Sequence, residues 1–405
     1  MRILYVTTTF PVYSETFLQR EVRGLRDLGV DLQIVSLHKG NMEFEGLKID
    51  RFRKPELLKL IWLLPWLILS RPAVFWKHWK QLFQYPPRSG LNFWENLLGL
   101  GAAIVREREL LEEKPDIIHC VWSSAPAAFG WLASSLLDRP FSVGAHAYDV
   151  FEKGGDWLLP AKAAGASFIH TSTESARLAL GKVVDKSKVQ LIRRGLNAYP
   201  DFQSLRENRS CLRMVCVARL VEKKGFPFQL DIYEALREVG IDFQVRVVGE
   251  GPLRNYLLSE IEARDFSDRV QLLGRLSGED ALRQIAWADV LIHTGIVARN
   301  GDRDGLPNVI PEAMASGTLV LASPISGVVE AVVDGQTGFL ASVEEKAIWV
   351  DKLKRIQQDD ALCYRVRQTS REWVEREFSA QRNSGKLLEL LKGASDRKGF
   401  QDAPL

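Results

Sequence analysis

Apolar residues occur along the first half of the chain in short continuous runs separated by stretches of helical periodicity. The runs Arg2 to Thr8 and Asp31 to Leu37 predict buried strands, and Ser14 to Leu28 between them has the spacing of an amphipathic helix. Further runs in this half also predict strands, at Asp116 to Val121, Phe141 to Ala145, Phe168 to Thr171 and Val189 to Ile192. Strands that alternate with helices indicate βαβ units and a parallel sheet.

The second half repeats this alternation more regularly. Its predicted strands are Cys211 to Val217, Phe243 to Val248, Val270 to Leu273 and Val290 to Thr294, and a turn and strand span Asp334 to Leu340. Its predicted helices are Phe228 to Val239, Ser277 to Ala288 and Gly327 to Val333. Repeated βαβ units with right-handed crossovers form a parallel sheet. Because ligands of such sheets bind beyond the carboxyl ends of the strands, the loops after these strands are candidate functional segments.

Chain length divides these elements between two domains. The chain has 405 residues, and single hydrophobic cores seldom grow beyond ~250–300 residues. The polar stretch from Asn197 to Ser210 is the predicted hinge. We therefore predict an α/β protein with one Rossmann-like parallel-sheet domain at 1–198 and a second at 205–370, facing each other across a cleft.

Two carboxylates flank a turn in the second domain. Asp304 lies in an Asp-Gly-Leu-Pro turn, Asn308 can cap the helix that follows, Pro311 is tolerated in its first turn and Gly317 ends it. Glu312 is therefore predicted near the start of a short helix. A carboxylate there can accept two hydrogen bonds from a ribose diol, and one on the preceding loop can reach the next group of a sugar nucleotide. The alternative is a helix that merely caps well.

Basic residues follow the first strand of this domain. Arg219 and Lys224 lie between the strand that ends at Val217 and a helix for which Pro227 suits the first turn. Backbone amides at a helix start bind anions, and the two side chains would add positive charge and hydrogen-bond donors. The alternative for both residues is ordinary solvated surface.

Glycines mark the turn after the next strand. Gly249 and Gly251 belong to a Gly-Glu-Gly sequence, but Pro252 and Leu253 follow where a dinucleotide fingerprint needs a third glycine. Either the glycines form a compact strand-to-helix turn, or they let the backbone approach a nucleotide.

The segment from Asp304 to Thr318 resembles the nucleotide-sugar signature of the retaining glycosyltransferase family 4, whose members have the GT-B fold. The family usually has glutamates separated by seven residues, and here the first is Asp304, which is shorter by one methylene. The resemblance implies that Arg219 and Lys224 bind the donor diphosphate. It also implies donor binding by Gly249, Gly251 and Leu306, and both donor-binding and catalytic roles for Asp304 and Glu312. It further implies a final helix, at 371–393, that crosses back to the first domain.

The first domain offers acceptor-side candidates. Ser14 and Glu15 belong to a Ser-Glu-Thr-Phe sequence that is similar to a segment of bacterial exopolysaccharide glycosyltransferases of the colanic-acid type, although both residues also suit a helix start. His146 follows a strand and resembles the family's histidine near the transferred sugar, which implies a catalytic role. His119 ends another strand and is the weaker candidate, because it can be a satisfied core residue.

These resemblances imply transfer of a hexose, with retention of anomeric configuration, from a nucleotide-diphosphate sugar, here predicted to be UDP-linked. The acceptor would be a saccharide or a lipid-linked oligosaccharide in exopolysaccharide or lipopolysaccharide synthesis. No cofactor and no obligatory metal are expected. The cysteines are four in number without paired close spacing, which predicts neither a zinc site nor a disulfide scaffold. Alternatives are a nucleotide-sugar epimerase or hydrolase of the same fold, and a non-catalytic saccharide- or nucleotide-binding subunit.

Residues 51–94 combine basic and aromatic side chains. They contain five tryptophans and eight Lys or Arg residues but one acid, Glu56, a mixture that is typical of membrane interfaces. Trp76, Trp79 and Phe83 are predicted to share one helical face. The apolar run from Ile61 to Leu69 is shorter than the ~20 residues that span a bilayer. Peripheral membrane contact is one interpretation and a buried helical excursion is the other.

Net charge and the N-terminal sequence limit partners and location. The chain carries only +3 formal charge and has no recognised nucleic-acid motif, so we expect no nucleic-acid partner. The opening residues predict a strand and not a signal peptide. We therefore expect a cytoplasmic protein, peripheral on the inner face of the cytoplasmic membrane.

Overall fold

A computed structural model describes residues 1–12, 15–84, 86–87, 89–152 and 155–396. The chain divides into two compact units. The N-terminal unit comprises Met1–Asn197 and the segment from Ala380 onward, and the C-terminal unit comprises Ala198–Ser379. The chain thus leaves the first unit at the start of the predicted polar hinge.

The N-terminal unit contains an eight-stranded sheet. Its strands are β1 (Arg2–Thr7), β2 (Asp31–Ser36), β3 (Glu43–Phe44), β4 (Leu47–Arg51), β5 (Ile117–Cys120), β6 (Phe141–Gly144), β7 (Ile169–Thr171) and β8 (Val189–Leu191). Their spatial order is β3-β4-β2-β1-β5-β6-β7-β8. All neighbouring strands are parallel except β3 and β4, which form an antiparallel pair. The predicted strands are present, with ends that differ by at most one residue.

Helices cover both faces of this sheet. They are α1 (Thr16–Asp27), α2 (Leu60–Ser70), α3 (Pro72–Gln84), α4 (Gly90–Glu113), α5 (Ala125–Leu137), α6 (Tyr148–Phe151), α7 (Leu159–Gly165) and α8 (Glu174–Leu180), with a 3₁₀ helix at Lys54–Lys59 before α2. Because side chains alternate along a strand, Leu4 and Val6 of β1 join the core beneath α4 and α5, while Ile3 and Tyr5 join the core beneath α1. Burial on both faces explains why β1 is continuously apolar.

A close crossing joins α4 to α5. A Cβ atom added at Gly99 of α4 would lie 2.1 Å from the Ala125 carbonyl oxygen at the start of α5. Only glycine therefore permits this approach, and the neighbouring Ala102 and Ala103 are fully buried. The helices α2 and α3 lie outside this pair, since α2 contacts α4 and α3 contacts α5.

The C-terminal unit contains a six-stranded parallel sheet in the order β11-β10-β9-β12-β13-β14. Its strands are β9 (Cys211–Val217), β10 (Asp242–Val248), β11 (Val270–Gly274), β12 (Val290–His293), β13 (Leu319–Ala322) and β14 (Phe339–Leu340). Its helices are α9 (Phe226–Glu238), α10 (Arg254–Ala263), α11 (Gly278–Trp287), α12 (Val309–Ser316), α13 (Val328–Ala331), α14 (Lys346–Gln358) and α15 (Asp360–Glu377). The strand β13 was not among the predicted strands.

The last described helix, α16 (Ala380–Asp396), belongs to the N-terminal unit and contacts α1. Its buried Leu387, Leu388 and Leu391 join the core on the α1 face of the sheet. The predicted boundary at residue 371 was wrong, because α15 continues to Glu377 within the C-terminal unit.

Within the described part of the chain, no helix by itself is long and apolar enough to cross a membrane. Lys54–Ser70 and Pro72–Gln84 meet the length and composition criteria only as a pair, and the two are bent by 112° relative to each other.

Candidate active site

Three loops at the carboxyl ends of β9, β10 and β12 are bonded to one another in the C-terminal unit. The Leu220 amide donates to the Glu250 carbonyl at 3.0 Å, which joins the first loop to the second. The Ile296 amide donates to the Lys223 carbonyl at 2.9 Å, which joins the third loop to the first. The sheet order places β9 between β10 and β12. The loops therefore form one connected edge of the sheet.

Glycines make this close contact possible. A Cβ atom at Gly225 would lie 1.9 Å from the Thr294 carbonyl oxygen, and one at Gly249 would lie 1.8 Å from the Ala218 carbonyl oxygen. Gly225 and Gly249 also have φ of +66° and +145°, which L side chains rarely adopt. At Gly251 the Cβ atom would lie 2.4 Å from a backbone oxygen of the first loop. Packing between loops explains Gly249 and Gly251, and donor binding by them stays a prediction.

Asp304 and Lys224 form an ion pair in these loops. The Lys224 Nζ donates to Asp304 Oδ2 at 2.5 Å, and Lys223 Nζ lies 3.4 Å from Asp304 Oδ1. His293 Nε2, at the end of β12, lies 3.5 Å from Asp304 Oδ2. Burial alone would raise the pKa of Asp304, but Lys224, His293 and Lys223 together hold it well below its usual value. Asp304 is therefore a fixed negative charge at neutral pH.

The sequence analysis did not identify the neighbouring Lys223 and Asp302 as candidate site residues. Lys223 is buried and its Nζ lies 2.9 Å from Asp302 Oδ2. His293 was missed as well, although a histidine that ends an apolar strand is a recognisable signal. Burial lowers the pKa of His293, so this imidazole is neutral at physiological pH. The loops thus hold two lysines against two aspartates.

Glu312 is the one residue of α12 that is only partly buried. Seven of the eight residues of this helix are buried, and Glu312 is the exception. Gly317 ends the helix with φ of +77°, as predicted. The predicted side-chain cap by Asn308 was wrong, because Asn308 has helical dihedral angles and makes no capping hydrogen bond. Leu306 is buried in the preceding turn.

Arg219 lies apart from this ion-pair cluster. Its side chain is exposed, and it makes no hydrogen bond or ion pair with another described residue. Lys224, by contrast, is largely enclosed. The two predicted phosphate-binding side chains therefore differ in their present surroundings, one being solvated and the other already paired with a carboxylate.

In the N-terminal unit, His146 follows β6 on a loop held by Asp149. The Asp149 Oδ1 accepts hydrogen bonds from the backbone amides of His146 and Ala147, both at 3.0 Å, and Oδ2 accepts from the Ser123 amide at 3.1 Å. Burial raises the pKa of Asp149, while these amides lower it. Asp149 is a positioning residue that the sequence-based search did not single out, although it belongs to the same His-containing segment.

His146 belongs to a buried aromatic cluster. Its ring contacts those of Phe17, Trp122 and His170, with centroids 6.2, 5.6 and 5.0 Å away. Burial lowers the pKa of His146 well below its usual value, and the neighbouring His170 lowers it further. The imidazole is therefore neutral at physiological pH. Its Nδ1 has no hydrogen-bond partner among the described residues.

The weaker histidine candidate, His119, is a core residue. It is fully buried, and its Nδ1 lies 2.8 Å from the Ser142 hydroxyl on the adjacent strand.

Glu15 immediately precedes α1, where its side chain makes no capping hydrogen bond. Ser14 lies outside the described residues. The acceptor-side roles of Ser14 and Glu15 stay predictions.

Two family models match the chain in succession. The glycosyl transferase 4-like domain matches residues 14–195, and the model of glycosyl transferases group 1 matches residues 200–373. The chain is 25% identical over 425 residues to the amylovoran biosynthesis glycosyltransferase AmsK of Erwinia amylovora, which covers 97% of this chain and 99% of AmsK. It is also 31% identical over 183 residues to the putative colanic acid biosynthesis glycosyltransferase WcaL of Escherichia coli. This match covers 45% of each chain.

Solved structures show the same fold at low sequence identity. HepE of Anabaena, crystallised in complex with UDP-glucose, matches with a TM-score of 0.71 and 17% identity over 97% of this chain and 100% of that one. Sucrose-phosphate synthase of Thermosynechococcus elongatus matches with a TM-score of 0.73 and 15% identity over 97% and 99%. Because the two family models together span most of the chain and each unit holds a parallel sheet flanked by helices, the protein belongs to the glycosyltransferases of the GT-B fold.

Proposed function

We propose that the protein transfers a hexose from UDP to a saccharide or lipid-linked acceptor during synthesis of an exopolysaccharide or lipopolysaccharide. The observation that carries the proposal is the ion pair between Lys224 and Asp304. Asp304 lies on the loop that leads into α12, in which Glu312 is the one residue that is only partly buried. The name of AmsK supports an exopolysaccharide product. The UDP-glucose in the HepE crystals supports a UDP-linked donor.

In the proposed donor complex, the diphosphate binds Lys224 and Arg219. The exposed Arg219 can turn toward the phosphates without breaking an existing pair. Lys224 can share its three donors between Asp304 and a phosphate oxygen. As the bond to the leaving UDP breaks, negative charge grows on the diphosphate, and these cations stabilise it in a partly enclosed site. Glu312 accepts hydrogen bonds from the ribose diol.

In this proposal, the side chains of Asp304 and His146 interact with the transferred sugar. The low pKa of Asp304 keeps it ionised, so that it can accept a hydrogen bond from a sugar hydroxyl while it orients Lys224. The neutral His146 can accept or donate a hydrogen bond through its free Nδ1, depending on tautomer. We propose retention of anomeric configuration, without an obligatory metal, through an oxocarbenium-like transition state.

Transfer by the purified protein tests this function. UDP-, GDP- and ADP-linked hexoses are supplied with a lipid-linked saccharide, and the released nucleotide and the product anomer are measured by NMR. Glu312→Ala should lose at least 100-fold in transfer, whereas Glu279→Ala, which removes an exposed carboxylate of α11, should match the wild type. Transfer by Glu312→Ala at the wild-type rate would overturn the site.

Two further readouts separate the alternatives. Sugar release to water at an unchanged rate without acceptor would identify a hydrolase, and interconversion of the free UDP-sugars would identify an epimerase. Full activity after treatment with EDTA is expected. Loss of activity that Mg²⁺ restores would contradict the proposal that no metal is required.

A further inference from the structure

Large apolar side chains are exposed on α2 and α3, on the 3₁₀ helix before them and at the start of α4. They have between 58% and 80% of their surface accessible. We call this surface the tryptophan face, and it comprises Leu58, Ile61, Trp62, Trp66, Leu69, Trp76, Phe83, Leu91 and Trp94. Monomeric soluble proteins rarely expose apolar patches beyond a few hundred Å², and larger ones mark interaction surfaces. This concentration of apolar residues between 58 and 94 therefore requires an occupant.

The helix α2 presents one stripe of this face. Leu58, Trp62 and Trp66 are spaced four residues apart, so they lie above one another on the same side of the helical segment. On the opposite side, Leu67 is buried at 3% exposure and Leu63 packs against the core. The inward side of α2 thus packs against the core, while the outward stripe is left exposed.

The helix α3 repeats this division. Its Phe75, His78 and Leu82 are buried, and the His78 ring lies 4.4 Å from that of Trp131 in α5. Trp76 and Phe83 point outward, with 58% and 77% exposure. Trp79, which was predicted to share this face, is partly buried, and its ring contacts that of Phe83 with centroids 6.5 Å apart.

Trp79 is partly buried against the core of the N-terminal unit. Its ring stacks on that of Phe75 at 5.1 Å with an interplanar angle of 21°. Trp79 therefore lies at the edge of the tryptophan face, between the buried Phe75 and the exposed Phe83.

Positive charge accompanies the face. Lys54, Lys77 and Lys80 are exposed and have no carboxylate partner within the described part of the chain. The one acid of the segment, Glu56, is already within 3.6 Å of Arg53, Lys59 and Arg106. The unpaired charge of the surface is therefore positive.

We propose that the tryptophan face binds an anionic phospholipid bilayer. Tryptophan rings favour the headgroup region, and lysines beside them are attracted to anionic lipids. A second copy of the chain is a poorer occupant, because a two-fold interface places the same patch on both sides and would bring like charges together.

The face is continuous with the segment that carries His146. Trp94 precedes Asn96 on α4, and the Asn96 Nδ2 donates to Asp156 Oδ1 at 3.0 Å. The Asp156 amide in turn donates to the Asp149 carbonyl at 3.0 Å. These two hydrogen bonds join the helix that carries Trp94 to the loop that carries His146. This link rests on the proposed function, because it matters only if the acceptor is carried by a lipid.

Co-sedimentation of the full chain with vesicles tests the inference without donor or acceptor. The vesicles contain phosphatidylcholine alone, or phosphatidylcholine with phosphatidylglycerol. Wild type should bind the anionic vesicles at least tenfold more strongly. Trp62→Ser/Trp66→Ser should reduce that binding at least tenfold. The matched control Leu178→Ser/Tyr364→Ser removes two apolar side chains that are 59% exposed elsewhere, and should bind like wild type.

A charge reversal tests the lysines separately. Lys77→Glu/Lys80→Glu should reduce binding to anionic vesicles severalfold, and added salt should weaken wild-type binding. Lys182→Glu/Lys186→Glu makes the same change at exposed lysines elsewhere in the unit and should have less effect. Unchanged melting temperatures show that the variants fold.

Three results would overturn the inference. They are absence of wild-type binding, equal binding to neutral vesicles, and unchanged binding of the tryptophan variant. Dimers in sedimentation that the tryptophan variant abolishes, without vesicle binding, would assign the face to a second copy instead. UDP binding, measured by calorimetry on the same variants, reports on the donor site. A failure of membrane binding is therefore distinguishable from a failure of the proposed function.

Discussion

The two units each place an aspartate beyond a parallel strand, but the surroundings of these aspartates are opposite. Asp304 lies against Lys224, His293 and Lys223, which hold its pKa well below its usual value despite burial. Asp149 accepts hydrogen bonds from three backbone amides, and burial raises its pKa. The ion pairs of Asp304 contain charged side chains that can also interact with a ligand. The hydrogen bonds of Asp149 fix the backbone around a neutral histidine.

The difference shows how one sheet topology serves two tasks. An ion pair of side chains can open and re-form around an incoming diphosphate, because each partner is held by few bonds. A carboxylate bonded to backbone amides cannot leave without exposing several buried donors. We therefore expect changes at Lys224 to alter donor binding and transfer, and changes at Asp149 to alter stability and loop order.

The largest effect is expected for Lys224→Ala. This change removes the partner of Asp304 and a proposed diphosphate contact, so transfer should fall ~10²–10³-fold. UDP affinity measured by calorimetry should fall as well. Lys354→Ala, which removes an exposed lysine on α14, is the control. Normal transfer by Lys224→Ala would show that the ion pair serves structure alone.

A comparable change in the other unit, Asp149→Ala, should act on stability. It leaves three backbone amides without acceptors, and we expect a loss of ~2–3 kcal/mol in the free energy of unfolding of this unit. Asp149→Asn keeps an acceptor for His146 and Ala147 and should lose less. Urea denaturation measures both values. UDP binding, in the C-terminal unit, should be unaffected, and a parallel loss of UDP affinity would contradict the separation of tasks.

A smaller effect is expected for Arg219→Ala, because this side chain is solvated before the donor binds. Loss of a hydrogen bond to a charged phosphate should raise the KM for the donor about tenfold, or ~1.4 kcal/mol. The kcat should change less. Arg219→Lys should recover part of the affinity, since charge is kept but bidentate geometry is lost. Unchanged KM in Arg219→Ala would remove this residue from the donor site.

The smallest expected effect is that of pH, near neutrality, on the free energy of unfolding. A carboxyl whose pKa is lowered by folding contributes stability above its unfolded pKa of ~3.9. The contribution of Asp304 should therefore be constant from pH 6 to 8 and be lost as pH falls through its folded pKa. Asp149 has a raised pKa, so its ionisation costs stability as pH rises through that value. Denaturation of wild type, Asp304→Asn and Asp149→Asn as a function of pH compares the two signs.

Residue patterns within a few positions were sufficient to predict the strand and the helix end that position the candidate donor site. The run from Cys211 to Val217 was predicted with the ends that the structure shows, and Gly317 ends α12 in the left-handed conformation expected of it. Asn308 was misassigned because the turn before α12 already has helical dihedral angles, so no side-chain cap is made. A cap depends on the entry path of the chain, which residue type alone does not specify.

The sequence by itself determined that strands alternate with helices and that the charged motifs follow strands, since these depend on side-chain periodicity and turn residues within a few positions. Only the tertiary structure decided that Lys224 meets Asp304, 80 positions later in the chain, and that Lys223 meets Asp302. It also decided that Trp62 and Trp66 face outward while Trp79 stacks on the buried ring of Phe75. Periodicity defines which residues share a face of an element, but the neighbouring elements determine whether that face is covered.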